Sequence, residues 1–183
     1  MYGVRMKDAL TVEVWLRHGL KVLRDDGPDA LKAVPMARAL GVSRGSFYWH
    51  FKDISQFHVK LLDLWRDLST QQVIRGMDTH PTAKVRLSKL MYHAMRSDMA
   101  LERAVRAWAV SNEKAAETIA VVDAERVGYL VNLLAGGEAE AAATRQHALF
   151  IYWAYLGRMV TDAGDALAFS ESDFEAIVRG LTA

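Results

Sequence analysis

Gly41 is the residue that most restricts what this chain can fold into. It closes a helical run and opens the stretch Gly41-Val42-Ser43-Arg44-Gly45-Ser46-Phe47-Tyr48-Trp49-His50-Phe51-Lys52. Glycine enters the left-handed backbone region without a Cβ clash, so a helix can stop there and the chain can turn sharply. Ser43 stands where it can cap the next helix. Beyond it, Phe47 and Phe51 lie four apart on one helical face, while Arg44, Ser46, Tyr48, Trp49, His50 and Lys52 point elsewhere. The pattern is a short helix held from behind by two phenylalanines, with a front rich in hydrogen-bond donors. Taken alone, it could also be a surface helix with incidental polar residues.

The preceding segment narrows that choice. Trp15, Leu16, Gly19, Leu20 and Leu23 fall at helical spacing between about Leu10 and Asp25, and Gly27-Pro28 stops the run. A second helix begins near Leu31, with Met36, Ala37 and Leu40 on one face. Pro35 is tolerable if it lies in the first turn, where its missing N–H would be unpaired anyway. Two short helices, a glycine turn and a polar-fronted helix make a helix-turn-helix. Charge is distributed accordingly: residues 1–60 carry ten Lys/Arg against six Asp/Glu, and residues 61–183 thirteen against sixteen, for a net +1. A basic end on a slightly acidic body suggests an anionic partner.

Downstream the periodicity stays helical. Ile54, Phe57, Leu61, Leu64, Trp65 and Leu68 give a long stripe from Asp53 to about Arg75, a helix of some 30 Å that would tie two domains together. Gly76 and His80-Pro81 interrupt the chain. Leu87, Leu90, Met91, Ala94 and Met95 mark the next helix; Leu101, Ala104, Val105 and Trp108 a shorter one; and Ile119, Val122, Tyr129 and Leu133 another, ended by Gly136-Gly137. In the helix expected from Glu138 to Asp162, Ala148 to Gly157 runs ten residues without a charge. All sides of it should be covered, in a core or an interface, since the run is too short for a membrane. Ser170-Glu171-Ser172-Asp173 then resembles a capping box with Asp in place of Glu, opening a last helix with Phe174, Ile177, Val178 and Leu181 on one stripe. The chain has 183 residues, 51% of them apolar, and no cysteine. A proper core is possible, whereas disulfides and thiolate zinc sites are not. Met1 to Lys7 lacks the apolar core of a signal peptide, and the expected location is the cytoplasm.

Gly27 to Phe51, with Met36-Ala37, Gly41-Val42-Ser43, Gly45-Ser46-Phe47-Tyr48 and His50-Phe51, resembles the DNA-binding domain of TetR-type transcriptional regulators. The resemblance implies an all-α fold of about nine helices: a helix-turn-helix DNA-binding domain over residues 1–53, and a helical effector-binding and dimerisation domain over residues 54–183. It also implies a homodimer on a palindromic DNA operator, in a repressor released by a small-molecule effector. Lys32 stands where the family often has Thr, and Ile54 where Lys or Arg is common. Lys52 is then the candidate for the phosphate contact that Ile54 cannot make. The last two helices would pair with their copies, which assigns Phe150, Tyr152, Phe174, Ile177 and Leu181 to the dimer interface.

Phosphate contacts supply most of the affinity for DNA, and base edges in the major groove supply the sequence. Arg44 is the candidate for bidentate reading of guanine, with Ser46 and Trp49 beside it, and Gly45 allows close approach. Lys32, Tyr48, His50 and Lys52 suit phosphates, and Ser43 suits a cap, a phosphate or both. In the C-terminal body Met91, Tyr92, Met95, Met99, Trp108, Tyr129 and Trp153 are the candidate lining of an apolar effector pocket. The six histidines form no His-x-x-x-His or His-Glu-x-x-His pattern. With no phosphate-binding glycine loop or nucleophile elbow either, the chain is expected to be no enzyme and to need no metal or cofactor. The competing expectation is an all-helical small-molecule binding protein without DNA-binding activity.

Overall fold

The computed structural model describes residues 10–136, 142–161 and 169–181, and the regular elements among them are all helical. In order these are α1 (Val12–Asp26), a 3-10 turn (Pro28–Ala30), α2 (Ala33–Ala39), α3 (Arg44–His50), α4 (Ile54–Arg66), a π-helical segment (Asp67–Gln71) and α5 (Gln72–Met77). Then follow α6 (Ala83–Arg96), α7 (Ala100–Ala109), α8 (Glu113–Ala135), α9 (Ala142–Gly157) and α10 (Glu171–Leu181). The helix expected from residue 53 to 75 is thus one helical path whose α pattern is interrupted by the π segment. Counting that path once, the described residues hold nine α-helices.

By contact the chain divides into two compact units, one of Met1–Trp65 with Ala100–Ala116, the other of Arg66–Met99 with Glu117–Ala183. An aromatic cluster holds the first. Phe47 and Phe51 lie with ring centroids 5.0 Å apart, Phe57 of α4 sits 5.4 and 5.0 Å from them, and Trp15 of α1 meets Phe47 edge-on at 5.4 Å. All four side chains are fully buried, and each such burial is worth roughly 1.5–3 kcal/mol. Gly19 lets α1 approach this cluster: a Cβ there would lie 2.6 Å from the tip of Phe57. Helix α7 packs on α1, and Val105 and Trp108 of α7 are buried.

Leu87, Val127, Leu130, Val131, Leu133, Ala148, Tyr152 and Val178 form the core of the second unit, where α10 packs along α6. Its polar contacts gather at the π segment and at the start of α10. A π turn inserts a residue into the helical hydrogen-bond ladder and leaves backbone groups to be satisfied from outside. Here Arg126 donates from Nη2 to the Ser69 carbonyl at 3.2 Å and from Nε to Thr70 Oγ1 at 3.0 Å. Beside it Arg66 pairs with Glu125, which also accepts from Gln71 at 3.0 Å. At α10 the expected capping box is present: Asp173 N–H donates to Ser170 Oγ at 3.3 Å, and Ser170 N–H donates to Asp173 Oδ2 at 2.7 Å.

Candidate nucleic-acid interface

The turn at Gly41 is built from the backbone. Gly41 has φ +68° and its N–H donates to the Arg38 carbonyl at 3.1 Å, while Val42 N–H donates to the Ala37 carbonyl at 3.0 Å. These paired bonds form a Schellman closure, which satisfies two carbonyls left open at the end of α2. Ser43 occupies the N-cap of α3 in extended conformation. Its carbonyl accepts from Ser46 N–H at 3.0 Å, but its hydroxyl makes no capping bond. Of the two roles suggested for that side chain, the local structure therefore does not use the cap. After α3, Gln56 N–H donates to Asp53 Oδ1 and Lys52 N–H to Gln56 Oε1, both at 2.8 Å, so the backbone at Lys52 is held in place. The Asp53-x-x-Gln56 spacing is the sequence signature of this cap.

A seven-residue helix is too short to be stable alone, and the buried Phe47 and Phe51 anchor α3 from one side. Its other side is bare. Trp49 is 83% exposed, Tyr48, Arg44 and Gly45 are exposed, and Ser46 and His50 are half-buried. Arg44 donates from Nη2 to the Tyr48 hydroxyl at 3.4 Å, with its guanidinium 5.1 Å from that ring's centre. A Cβ at Gly45 would meet only Ser43 Oγ, at an unstrained 3.6 Å, so packing among the described residues does not demand glycine there. Lys32 is exposed at the N-cap of α2, again without a side-chain capping bond, and Lys52 is exposed after α3. All nine residues named for DNA contact thus lie on α3 or at the ends of the segments flanking it.

The residues named for an effector pocket are not brought together in this way. Met91 packs against the core of the second unit, and the Tyr92 ring lies 6.4 Å from Phe174, with Arg96 over its face. Met95 is half-buried on α6, and Met99 is buried, its sulfur accepting from Ser97 Oγ at 3.8 Å. Trp108 belongs to the first unit, edge to face with His58 at 4.9 Å, because the apolar side of α7 serves that core. Trp153 is 63% exposed. Of the seven, Tyr129 lines a cleft of the second unit, together with Asp78, Arg86 and Asn132. These polar residues come from α6, α8 and the turn after α5, and no sequence motif links them.

The residues named for a dimer interface also separate. Tyr152 is 5% exposed and donates to Asp123 Oδ1 at 2.6 Å, and Phe174 is 2% exposed; both are occupied within their own unit. Ile177 and Leu181 are half-buried, and Phe150 is 71% exposed. Phe150, Trp153, Ala154 and Gly157 fall at i, i+3, i+4 and i+7 and are all exposed. The uncharged run is therefore covered on one side and bare on the other.

These described residues have the fold of TetR-type transcriptional regulators. Among solved structures, reduced NemR from E. coli is similar at 17% identity over 94% of this chain and 97% of its own, with a TM-score of 0.76. AibR, solved with isovaleryl coenzyme A and operator DNA, is similar at 15% identity over 93% and 97%, with a TM-score of 0.66. The superantigen PfiT shares the fold as well, at 15% identity over 95% and 96% and a TM-score of 0.71. No family model and no curated protein matches the sequence. Among the described residues no cluster of His, Asp and Glu could hold a metal ion, and no helix is long and apolar enough to cross a membrane.

Proposed function

We propose that this protein is a cytoplasmic, ligand-responsive transcriptional regulator without catalytic activity. It acts as a repressor, binding a palindromic double-stranded DNA operator as a homodimer and leaving it when a small molecule enters the C-terminal body. The observation that carries this reading is the bare face of α3: Trp49 stands 83% exposed on a helix whose opposite side is fully buried. Such a helix is costly to leave in water unless it serves a partner. Arg44 reads a guanine edge, Gly45 permits backbone approach, and Lys32, Tyr48, His50 and Lys52 meet phosphates. The occurrence of this fold on operator DNA in AibR supports the assignment, and the presence of the fold in PfiT is why the face of α3, not the fold, has to carry it.

Two copies would pair through the exposed side of α9, with Ile177 and Leu181 of α10 at its edge, and would set two copies of α3 about 34–36 Å apart in successive major grooves. Release by an effector requires that it bind one dimer state more tightly than another. The test is binding of the purified protein to the DNA flanking its own gene. A symmetric footprint is expected, with Arg44→Ala relaxing sequence preference. Absence of any symmetric protection at low salt would instead support a helical small-molecule binding protein that does not touch DNA.

A further inference from the structure

We propose that the cleft formed by the end of α5, the start of α6 and the end of α8 binds an uncharged planar ring compound carrying a hydrogen-bond donor beside an acceptor. The cleft encloses about 490 Å³, within the roughly 300–1,000 Å³ usual for small-molecule sites. Ile74, Ala83 and Leu133 give it an apolar lining, and the Tyr129 ring offers a flat aromatic surface. That ring is fixed by its hydroxyl, which donates to Asp78 Oδ1 at 2.8 Å. Burial and the bond to Asp78 push the phenol's proton affinity up, so the surface stays neutral.

Ligand class follows from the polar groups. Arg86 donates to the same Asp78 oxygen at 3.4 Å and from Nε to the His80 carbonyl at 2.8 Å. The carboxylate and guanidinium therefore offset one another, and a ligand bearing a full charge would give up hydration without gaining a free counter-ion. What remains is hydrogen-bonding capacity: Asp78 Oδ2 as acceptor, Arg86 Nη2 as donor, and the Asn132 amide as both, none with a partner among the described residues. A carboxamide on a flat ring matches that set.

As an effector site the cleft rests on the regulator reading, but its occupancy is read without DNA, so failure here and failure of operator binding are separate results. Benzamide titrated into the full chain should shift the Tyr129 and Asn132 resonances saturably, with benzoate and benzamidinium about tenfold weaker. Asp78→Ala removes the acceptor, and Ala83→Phe puts a large side chain into the lining. Both should lose the response, and the second keeps the test valid if the first loosens the fold. Absence of saturable shifts, equal binding of the three probes, or an unchanged response in a folded Ala83→Phe protein would overturn the proposal.

Discussion

Lys32 occupies a position where helix chemistry alone would place another residue. An N-cap normally supplies an oxygen to the first free N–H groups, and a cation there opposes the helix dipole. Lys32 gives α2 no side-chain cap, and its ammonium is the unfavourable charge. Lys32→Ser is therefore expected to stabilise the fold by about 1 kcal/mol in urea titration, while weakening binding to every DNA sequence and flattening its salt dependence. A stabilised variant with undiminished DNA affinity would remove Lys32 from the interface. His58 makes a different prediction. Its Nε2 is buried without a hydrogen-bond partner, and burial lowers its proton affinity despite a bond to the Leu31 backbone. The folded chain then binds fewer protons than the unfolded chain below neutrality. Stability gained from the neutral ring is present above the ordinary imidazole value of 6.5 and lost as pH falls through the lower folded value. Thermal melts of His58→Phe should be less acid-sensitive in that window, with His18, lowered by burial and by Lys21, retaining part of the slope.

At the level of elements, α1 and α4 meet at Gly19. Phe57 cannot give way there, being locked against Phe47 and Phe51, and Leu61 lies 3.0 Å from the same Cβ position. Gly19→Ala should cost roughly 1–3 kcal/mol in urea unfolding, and an unchanged midpoint would mean that the helices separate freely. Elements whose cause is local were readable from the sequence: the Gly41 closure and the Ser170–Asp173 box each depend on residues a few positions apart. The π segment was not, because the group that satisfies it, Arg126, lies more than fifty residues away.

For the molecule as a whole, the informative surface is the bare side of α9. A helix with exposed Phe150 and Trp153, and with exposed Ala154 and Gly157 permitting close approach, is suited to packing against another helix. If the parent forms the proposed dimer in sedimentation, Phe150→Glu with Trp153→Glu should give monomers at the same concentration, with the melting transition retained because neither side chain is buried. A variant that stays dimeric would place the interface elsewhere. Tyr152 and Phe174 are unsuited to this test, since removing either would damage the core of its own unit.

The sequence by itself determined the helices, the turn at Gly41 and the exposed front of α3, because periodicity, capping and turn geometry act over a few residues. Tertiary structure decided which apolar residues face inward. It placed Trp108 in the core of the first unit, buried Tyr152 while leaving Trp153 exposed, and gathered Asp78, Arg86, Tyr129 and Asn132 around one cleft. An apolar stripe specifies that a face must be covered, but what covers it depends on segments far apart in the chain, and that choice is made only when they pack.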